Sequence, residues 1–560
     1  MSFLPSLARG AHTHAPRGHR PLAALLVALL LCAVAGCGTS SGGSGSAAGA
    51  DANGSDAGKP RAGGNVNFAL SLAPACPDPQ QATQNMAIYI ARQVTDSLTD
   101  QDPKTGKIVP WLAKSWEIGK DGREFTFHLR DGVTFSDGTA LTAQSVRKNF
   151  DSIVHDLGAA APLASTYLSG YQQTRVSDKL TATVVFAQPN AQFLQATATH
   201  SLAIVADRTL ATPPEQRCQG KVIGSGPFVV KRFVQGGDVV LAKRKGYAWG
   251  SKVFGHTGDA YLDTITYKIV PESGVRAGSL ATNQVDAVSD VLRQDEPQIE
   301  GAGGKVLTIT NPGVVFLLQP NVSREPLKDE RVRQAVQLAV NRQEVVDTVL
   351  GKHFKAASSV LGRRTPGWTD LSSLLNHDPN RAKALLDAAG WRAGPGGIRV
   401  KGGRKLTIDV VYSPNFNGSQ PALELVQQQL RQVGIALELR QVTNAQSSEI
   451  DQSGDFDTFF YNITRADPDI LRTQFSTKLA NRGRRAPDQA LDPLLDKEVR
   501  TLDEAGRDKL VGKAQRLLVE HGYVIPIFEL SQAIGVSSRV HGLRFEASSR
   551  LQFYDTWISQ

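Results

Sequence analysis

An α/β fold divided into two or three lobes is what this sequence predicts, and three observations predict it. The first is length. Even without its first 36 residues, the 560-residue chain exceeds the ~250–300 residues that one hydrophobic core holds. The second is period: segments that alternate apolar and polar at every second residue are interleaved with segments apolar at every third and fourth. Such a mixed order gives α/β layers rather than an all-helical or all-strand body. The third is the lack of a repeat of fixed period, which sets aside solenoids and propellers.

In chain order the first element is an export signal. Arg9, Arg17 and Arg20, with no acid among them, precede an apolar run from Leu22 to Ala35. A basic segment before a short apolar one is the layout of a secretory signal. The run is about 15 residues, short of the ~18–20 that cross a hydrocarbon core. It ends Val34-Ala35-Gly36-Cys37, which resembles the bacterial lipobox, whose cysteine thiol takes a diacylglyceryl group and becomes the first residue after cleavage. The chemistry needs a thiolate nucleophile, and two acyl chains suffice for a stable anchor. The alternative is an inert cysteine inside an ordinary signal. Residues 1–36 are therefore read as signal peptide, and Cys37 as the lipid attachment site. The protein is expected at the cell membrane, lipid-anchored on its extracytoplasmic face. Residues 37–64 form a Gly/Ser-rich tether that cannot bury a core and spans on the order of 30 Å as a coil. Its Gly38-Thr39-Ser40-Ser41-Gly42 matches G-x-S-x-G by chance, since no strand precedes it and no helix follows.

The folded part begins after Gly64. Phe125, Phe127 and Leu129 alternate with Thr126, His128 and Arg130, the period of a half-buried strand. Asp131-Gly132 and Asp137-Gly138 mark tight turns around Val133 and Phe135. Further strands are expected at Ala182–Phe186, Asp238–Ala242, Ile265–Val270, Val314–Leu318 and Leu406–Tyr412. Helices dominate the second half. Val332, Ala335, Val336, Ala339 and Val340 share one face of a helix beginning near Asp329. Asp378-Pro379 reads as N-cap and first residue of a helix that ends at Gly390. Leu423, Val426, Leu430 and Val433 line another, stopped by Gly434. Leu510, Ala514, Leu517 and Leu518 line the last, stopped near Gly522. These stripes are core faces, not ligand sites.

Composition excludes several functions. The net charge of +9 loses three units with the signal, and no Lys/Arg block of the kind that tracks phosphates exists, so nucleic acid is not an expected partner. Of the four cysteines, Cys32 leaves with the signal and Cys37 carries lipid. Cys76 and Cys218 remain in a compartment that permits disulfides; they either pair or stay as two buried thiols. Beyond the signal the closest histidines are His521 and His541, too far apart in sequence for a helical zinc pair. No Cys-x-x-Cys, no G-x-x-x-x-G-K and no G-x-G-x-x-G occurs. No metal, cofactor or enzymatic activity is expected.

The most informative stretch runs from Val94 to Phe150. Leu98, Asp100 and Gly106 lead into Pro110-Trp111-Leu112-Ala113-Lys114-Ser115-Trp116-Glu117. Then come Asp121-Gly122, Phe125 to Val133 and Phe135-Ser136-Asp137-Gly138-Thr139, with Ser136 and Asp137 read as turn residues and both tryptophans as packing. Downstream stand Gly224-Ser225-Gly226-Pro227-Phe228, Tyr261-Leu262-Asp263, Asn283-Gln284-Val285-Asp286-Ala287, Arg331 to Ala335 and Leu385 to Trp391. This ordered set resembles the extracytoplasmic solute-binding proteins of oligopeptide and dipeptide ABC importers, family 5, over nearly all of residues 63–560. Gly246 and Ala248 depart from the family's "Arg-Asn-x-x-Tyr-Trp" at Arg244–Trp249.

The resemblance implies a two-lobed fold of the periplasmic-binding-protein kind (type II, cluster C-like) with an extra inserted domain and a two-crossing hinge. Lobe I would comprise 65–97, 223–312 and 529–560, lobe II the insertion 98–222, and lobe III residues 313–528. It implies a substrate-binding lipoprotein, acting as a monomer, that hands a peptide or other small polar solute to permease and ATPase subunits. Rival readings are a secreted hydrolase on a similar scaffold and a ligand sensor that does not transport. Other family members take nickel complexes, sugars or further small solutes. Peptide binders of the family hold the peptide amine with a carboxylate near a tryptophan in lobe III. Here that segment is Phe456 to Asp469. One alignment puts Tyr461 and Thr464 at the tryptophan and carboxylate positions; another gives the amine role to Asp467. As a third option, Asp467-Pro468 only caps the next helix.

Overall fold

The structure, a computed structural model, describes residues 58–559. The signal, Cys37 and the tether up to residue 57 lie outside the described residues. Among those described, no helix is long and apolar enough to cross a membrane.

Three main sheets organise the chain. The first has seven strands in the order Lys305–Thr310, Ser531–Val536, Ala287–Val288, Asn65–Leu70, Thr264–Ile269, Val239–Lys243 and Phe228–Phe233. Its centre is parallel: Asn65–Leu70 runs alongside both Thr264–Ile269 and Ala287–Val288. The second has six strands in the order Lys355–Ala356, Ile525–Glu529, Gly313–Pro320, Thr458–Thr464, Thr407–Tyr412 and Ala436–Gln441. The third is a four-stranded antiparallel sheet of Ala113–Ile118, Glu124–Leu129, Thr181–Phe186 and Tyr171–Asp178. Phe125, Phe127 and Leu129 are buried while the residues between them are half-exposed, as their alternation requires. Gly132 and Gly138 take φ of +77° and +86°, and the Asp137 carboxylate accepts from the Thr139 amide at 3.0 Å, closing the second turn.

The helices follow their punctuation. Asp329 accepts from the Arg331 amide to cap Glu330–Ala339. Asp378 caps Pro379–Ala388 in the same way. The helix Glu504–Glu520 buries Val511, Ala514 and Leu518 and leaves Leu510 and Leu517 half-buried, so its core stripe is turned by one residue from the expected one. The helix Asn85–Val94 is buried on every side from Met86 onward.

The chain passes from the first sheet to the second through Asn311-Pro312, and returns through Leu530. The two crossings touch: the Asn311 amide donates to the Leu530 carbonyl at 2.8 Å. Hydrophobic packing divides along the same line. One core joins the seven- and four-stranded sheets, from Phe68 and Tyr89 through Phe127 and Phe193 to Tyr554. Trp111, 1% exposed, sits within this side, edge-on to Phe254 at 5.4 Å. The six-stranded sheet has separate cores on its two faces, one around Phe316, Phe460 and Phe528, the other around Leu317, Leu471 and Leu518. A disulfide joins Cys76 to Cys218, with their Cα atoms 4.1 Å apart.

Candidate functional site

The two crossings bring polar side chains from both sheets together. Tyr89 donates its hydroxyl proton to Gln532 Oε1 at 2.9 Å, and Asn85 donates to the same oxygen at 3.3 Å. Gln532 in turn donates to Asn311 Oδ1 at 3.0 Å, and Asn311 donates to Thr464 Oγ1 at 2.7 Å. This chain starts in the buried helix Asn85–Val94, passes the first crossing and ends on the six-stranded sheet. Gly313, at φ +104°, allows the approach: a Cβ there would lie 2.3 Å from the Ile463 carbonyl oxygen and 2.5 Å from the Arg465 nitrogen. Only glycine fits so close a backbone contact.

The carbonyls of the first crossing collect further donors. Thr310 O accepts from Arg364 Nη1 at 3.3 Å and from Ser549 Oγ at 3.2 Å. Arg364 Nη2 also donates to the Pro103 carbonyl at 3.2 Å. Ser549 holds φ +65° at the tip of a tight turn in which the Glu546 amide donates to Arg550 O at 2.8 Å. The amide of Arg465 donates to Pro312 O at 3.2 Å. The Arg364 side chain, the Ser549 hydroxyl and the Arg465 amide thus meet one short piece of backbone.

Thr464 alone of the three expected ligand residues joins this junction. Tyr461 lies on the same strand, Thr458–Thr464, three positions earlier, so alternation places it on the opposite face. Its hydroxyl donates to Gln319 Oε1 at 2.5 Å, and the Arg482 guanidinium covers its ring at 4.5 Å. Burial pushes the Tyr461 hydroxyl up to about 12. Asp467 is 3% exposed. Its two oxygens accept from Arg507 at 2.9 and 2.6 Å, and Oδ1 also accepts from the Asp469 amide at 2.8 Å. Although burial works the other way, the Arg507 charge and hydrogen bonds hold the Asp467 carboxyl below its usual range. The helix that follows, Ile470–Phe475, begins after Asp469. Asp469 pairs with Arg472 at 2.5 and 3.0 Å. Glu498 accepts from Arg507 at 2.9 Å. Burial, with Asp469 beside it, pushes the Glu498 carboxyl well up.

Sequence reasoning missed Arg465, Arg550, Tyr89 and Gln532. Arg465 stands between Thr464 and Asp467, but a lone arginine at a strand end carries no local pattern. Nothing local marks the others, which meet only through the fold. Among the described residues there is no cluster of three or more side chains able to hold a metal ion.

The sequence matches the family model described as bacterial extracellular solute-binding proteins, family 5 Middle, over residues 107–481. It is 24% identical over 458 residues to a probable D,D-dipeptide-binding periplasmic protein, DdpA, of Escherichia coli (strain K12), covering 80% of this chain and 84% of that one. It is 24% identical over 441 residues to the nickel-binding periplasmic protein of the same strain, covering 77% and 82%. A dipeptide-binding protein of Pseudomonas aeruginosa is 25% identical over 527 residues, covering 88% and 95%. Among solved structures, NikA from Brucella suis in complex with Fe(III)-EDTA superposes with a TM-score of 0.76 at 22% identity, covering 89% of this chain and 100% of that one. The oligopeptide-binding protein AppA of Bacillus subtilis with a nonapeptide gives 0.74 at 20% identity, covering 90% and 100%. These likenesses establish the two-lobed α/β fold.

Proposed function

The chain belongs to the bacterial extracellular solute-binding proteins, family 5, and from that premise we propose that it is the solute-binding lipoprotein of an ATP-driven importer, capturing a peptide or peptide-sized polar solute between its two halves. The observation that carries this reading is the double crossing at Asn311-Pro312 and Leu530 between sheets with separate cores. A waist of two strands permits hinge closure around a ligand. Closure expels water, which strengthens each polar contact made inside. A solute that binds the closed form more tightly raises the population of that form, and permease and ATPase subunits would respond to it.

The sheet composition supports a division into lobe I (65–97, 223–312, 529–560), lobe II (98–222) and lobe III (313–528). The names of the relatives, with a dipeptide, a D,D-dipeptide and nickel among them, fit a small polar or chelated solute. The anchor at Cys37 would keep the receptor near its permease at a high effective concentration. Incubating the purified mature protein with dipeptide and tripeptide libraries tests the reading. A receptor returns the peptides unchanged and is thermally stabilised by some of them; cleavage of the peptides would sink it. A Cys37→Ala protein is expected to leave the membrane fraction with unchanged affinity for whatever stabilises the parent. Lost affinity would mean that tether and body are not independent.

A further inference from the structure

Three short pieces of the four-stranded side touch the six-stranded side. At the turn between Ala113–Ile118 and Glu124–Leu129, Gly122 lies under Leu502: a Cβ there would come within 2.8 Å of the Leu502 side chain. At the end of the short helix Pro162–Tyr167, the Tyr167 ring carries the Arg465 guanidinium, with Cζ 4.2 Å from its centroid. In the loop after Thr181–Phe186, the Ala191 amide donates to Val499 O at 2.8 Å, and Gln192 Oε1 accepts from Arg465. One buried residue holds these pieces together. The Asn190 amide donates to Gly122 O at 3.0 Å, its side chain donates to Tyr167 O at 3.2 Å, and it directly precedes Ala191.

The facing pieces are gathered by one arginine. Val499 and Leu502 follow the helix Leu491–Glu498, and Arg465 follows the strand Thr458–Thr464. Arg507 donates to Glu498 at 2.9 Å and to Asp467 at 2.9 and 2.6 Å, tying the end of that helix to the end of that strand. Arg465 is also tied to the first crossing, through its amide to Pro312 O at 3.2 Å. Its backbone therefore belongs to the hinge and its side chain to the facing sheet. The four-stranded side moves with the seven-stranded one, because their core is continuous and the Cys76–Cys218 bond ties the end of the insertion to the segment before it. The contact with the six-stranded side is of another kind. Asn190 Oδ1 and Arg465 Nε are buried without a hydrogen-bond partner among the described residues, and parting the two sides hands both to water. Leu502 stays 45% exposed, so little apolar area is buried with it.

We propose that the inserted lobe is the latch of the receptor: Gly122, Tyr167 and residues 190–192 grip Leu502, Arg465 and Val499 when the two halves close, and Arg465 is the positioning residue that makes the grip depend on the angle at the crossing. The proposal rests on the reading of the chain as a solute receptor that closes at its hinge. Arg465 and Leu502 then set the lifetime of the closed form without touching solute. The grip stabilises the closed form alone, so it slows release and leaves entry, which precedes closure, unchanged.

The test uses the purified mature protein and an equimolar mixture of dipeptides and tripeptides, with amide hydrogen exchange read across residues 188–193. With the mixture, exchange at Ala191 should slow at least about 10-fold, while amides inside Glu124–Leu129 and Thr407–Tyr412 keep their rates. The peptide that stabilises the protein most is then carried into stopped-flow binding. Arg465→Met and Leu502→Ser should each speed its release about 10-fold, change its association less than about threefold and remove most of the slowing at Ala191. Arg465→Lys should recover part of both effects. Ala191 equally protected with and without peptides would overturn the proposal, since the contact would then be a permanent seam. So would thermal stabilisation with no slowing at Ala191, or variants that weaken binding through association alone; each leaves the receptor reading standing. Variants that melt lower yet release the peptide at the parent's rate would overturn it too, since the two residues would then only brace the fold. If the mixture neither stabilises the protein nor slows exchange, both fall.

Discussion

The molecule has two kinds of internal boundary. Between the seven-stranded and four-stranded sheets the core is continuous: Trp111 lies against Phe254, Tyr247 and the Arg92 guanidinium, the last 4.6 Å from its ring. Between these and the six-stranded sheet the contacts are polar. Arg465 meets Gln192 and Tyr167, Arg364 reaches Pro103, the Ala191 amide donates to Val499 O at 2.8 Å, and Lys352 meets Glu296 at 2.9 Å. Separating the first boundary would expose apolar surface at about 25 cal/mol per Å². Separating the second exchanges hydrogen bonds with protein for hydrogen bonds with water, at a net cost of roughly 1 kcal/mol each. Motion belongs to the second, and rigidity to the first.

The largest effect is expected from breaking the rigid boundary. Trp111→Ala should destabilise the protein by about 3–5 kcal/mol, read as a shift of one cooperative denaturation transition. If the four-stranded sheet melts separately, the continuous core is not a single unit. A smaller effect sharpens the same boundary by pH. Asp96, beside the start of the insertion, accepts from Ser225, Trp249 and Tyr247 without a bonded cation. Burial pushes its carboxyl up to about 6 from 3.8. Between those values the folded state holds a proton that the unfolded state releases, so this group's contribution to stability falls as pH rises from about 4 to about 6, by on the order of 3 kcal/mol. The pH slope of unfolding in that window should be shallower in Asp96→Asn; an unchanged slope would remove the group from the account. The smallest effect concerns the polar boundary. Lys352→Ala deletes the contacts of an exposed lysine to the buried Glu296, which keeps His353 at 3.3 Å, and to the exposed Glu300. It should leave the denaturation midpoint unmoved, change ligand affinity by less than about threefold and reduce its dependence on salt.

The same contrast governs what could be read from the sequence. Phe125, Phe127 and Leu129, or Asp329 with its helix, are local patterns, and local patterns survive without knowledge of the fold. The helix Asn85–Val94 escaped because its sequence holds an unbroken apolar run, Met86 to Ala91, and a short apolar run reads equally as a buried strand or a buried helix. The stripe on Glu504–Glu520 was misplaced because Leu510 and Val511 are both apolar and periodicity alone does not choose between neighbours. The junction is less legible still. Asp467 finds Arg507 forty positions away. Ser549 meets Thr310 of the first crossing from 239 positions away. The resemblance supplied the two lobes, but the partners of each charge come from the fold.

The bond between Cys76 and Cys218 spans 142 positions and is flanked by the buried pair Asp78 and Arg217, 3.7 Å apart. It turns everything between them, the whole four-stranded sheet included, into a closed ring of chain. A protease that cuts once within that ring releases no fragment. The nicked protein should run as one species on a non-reducing gel and as two after reduction.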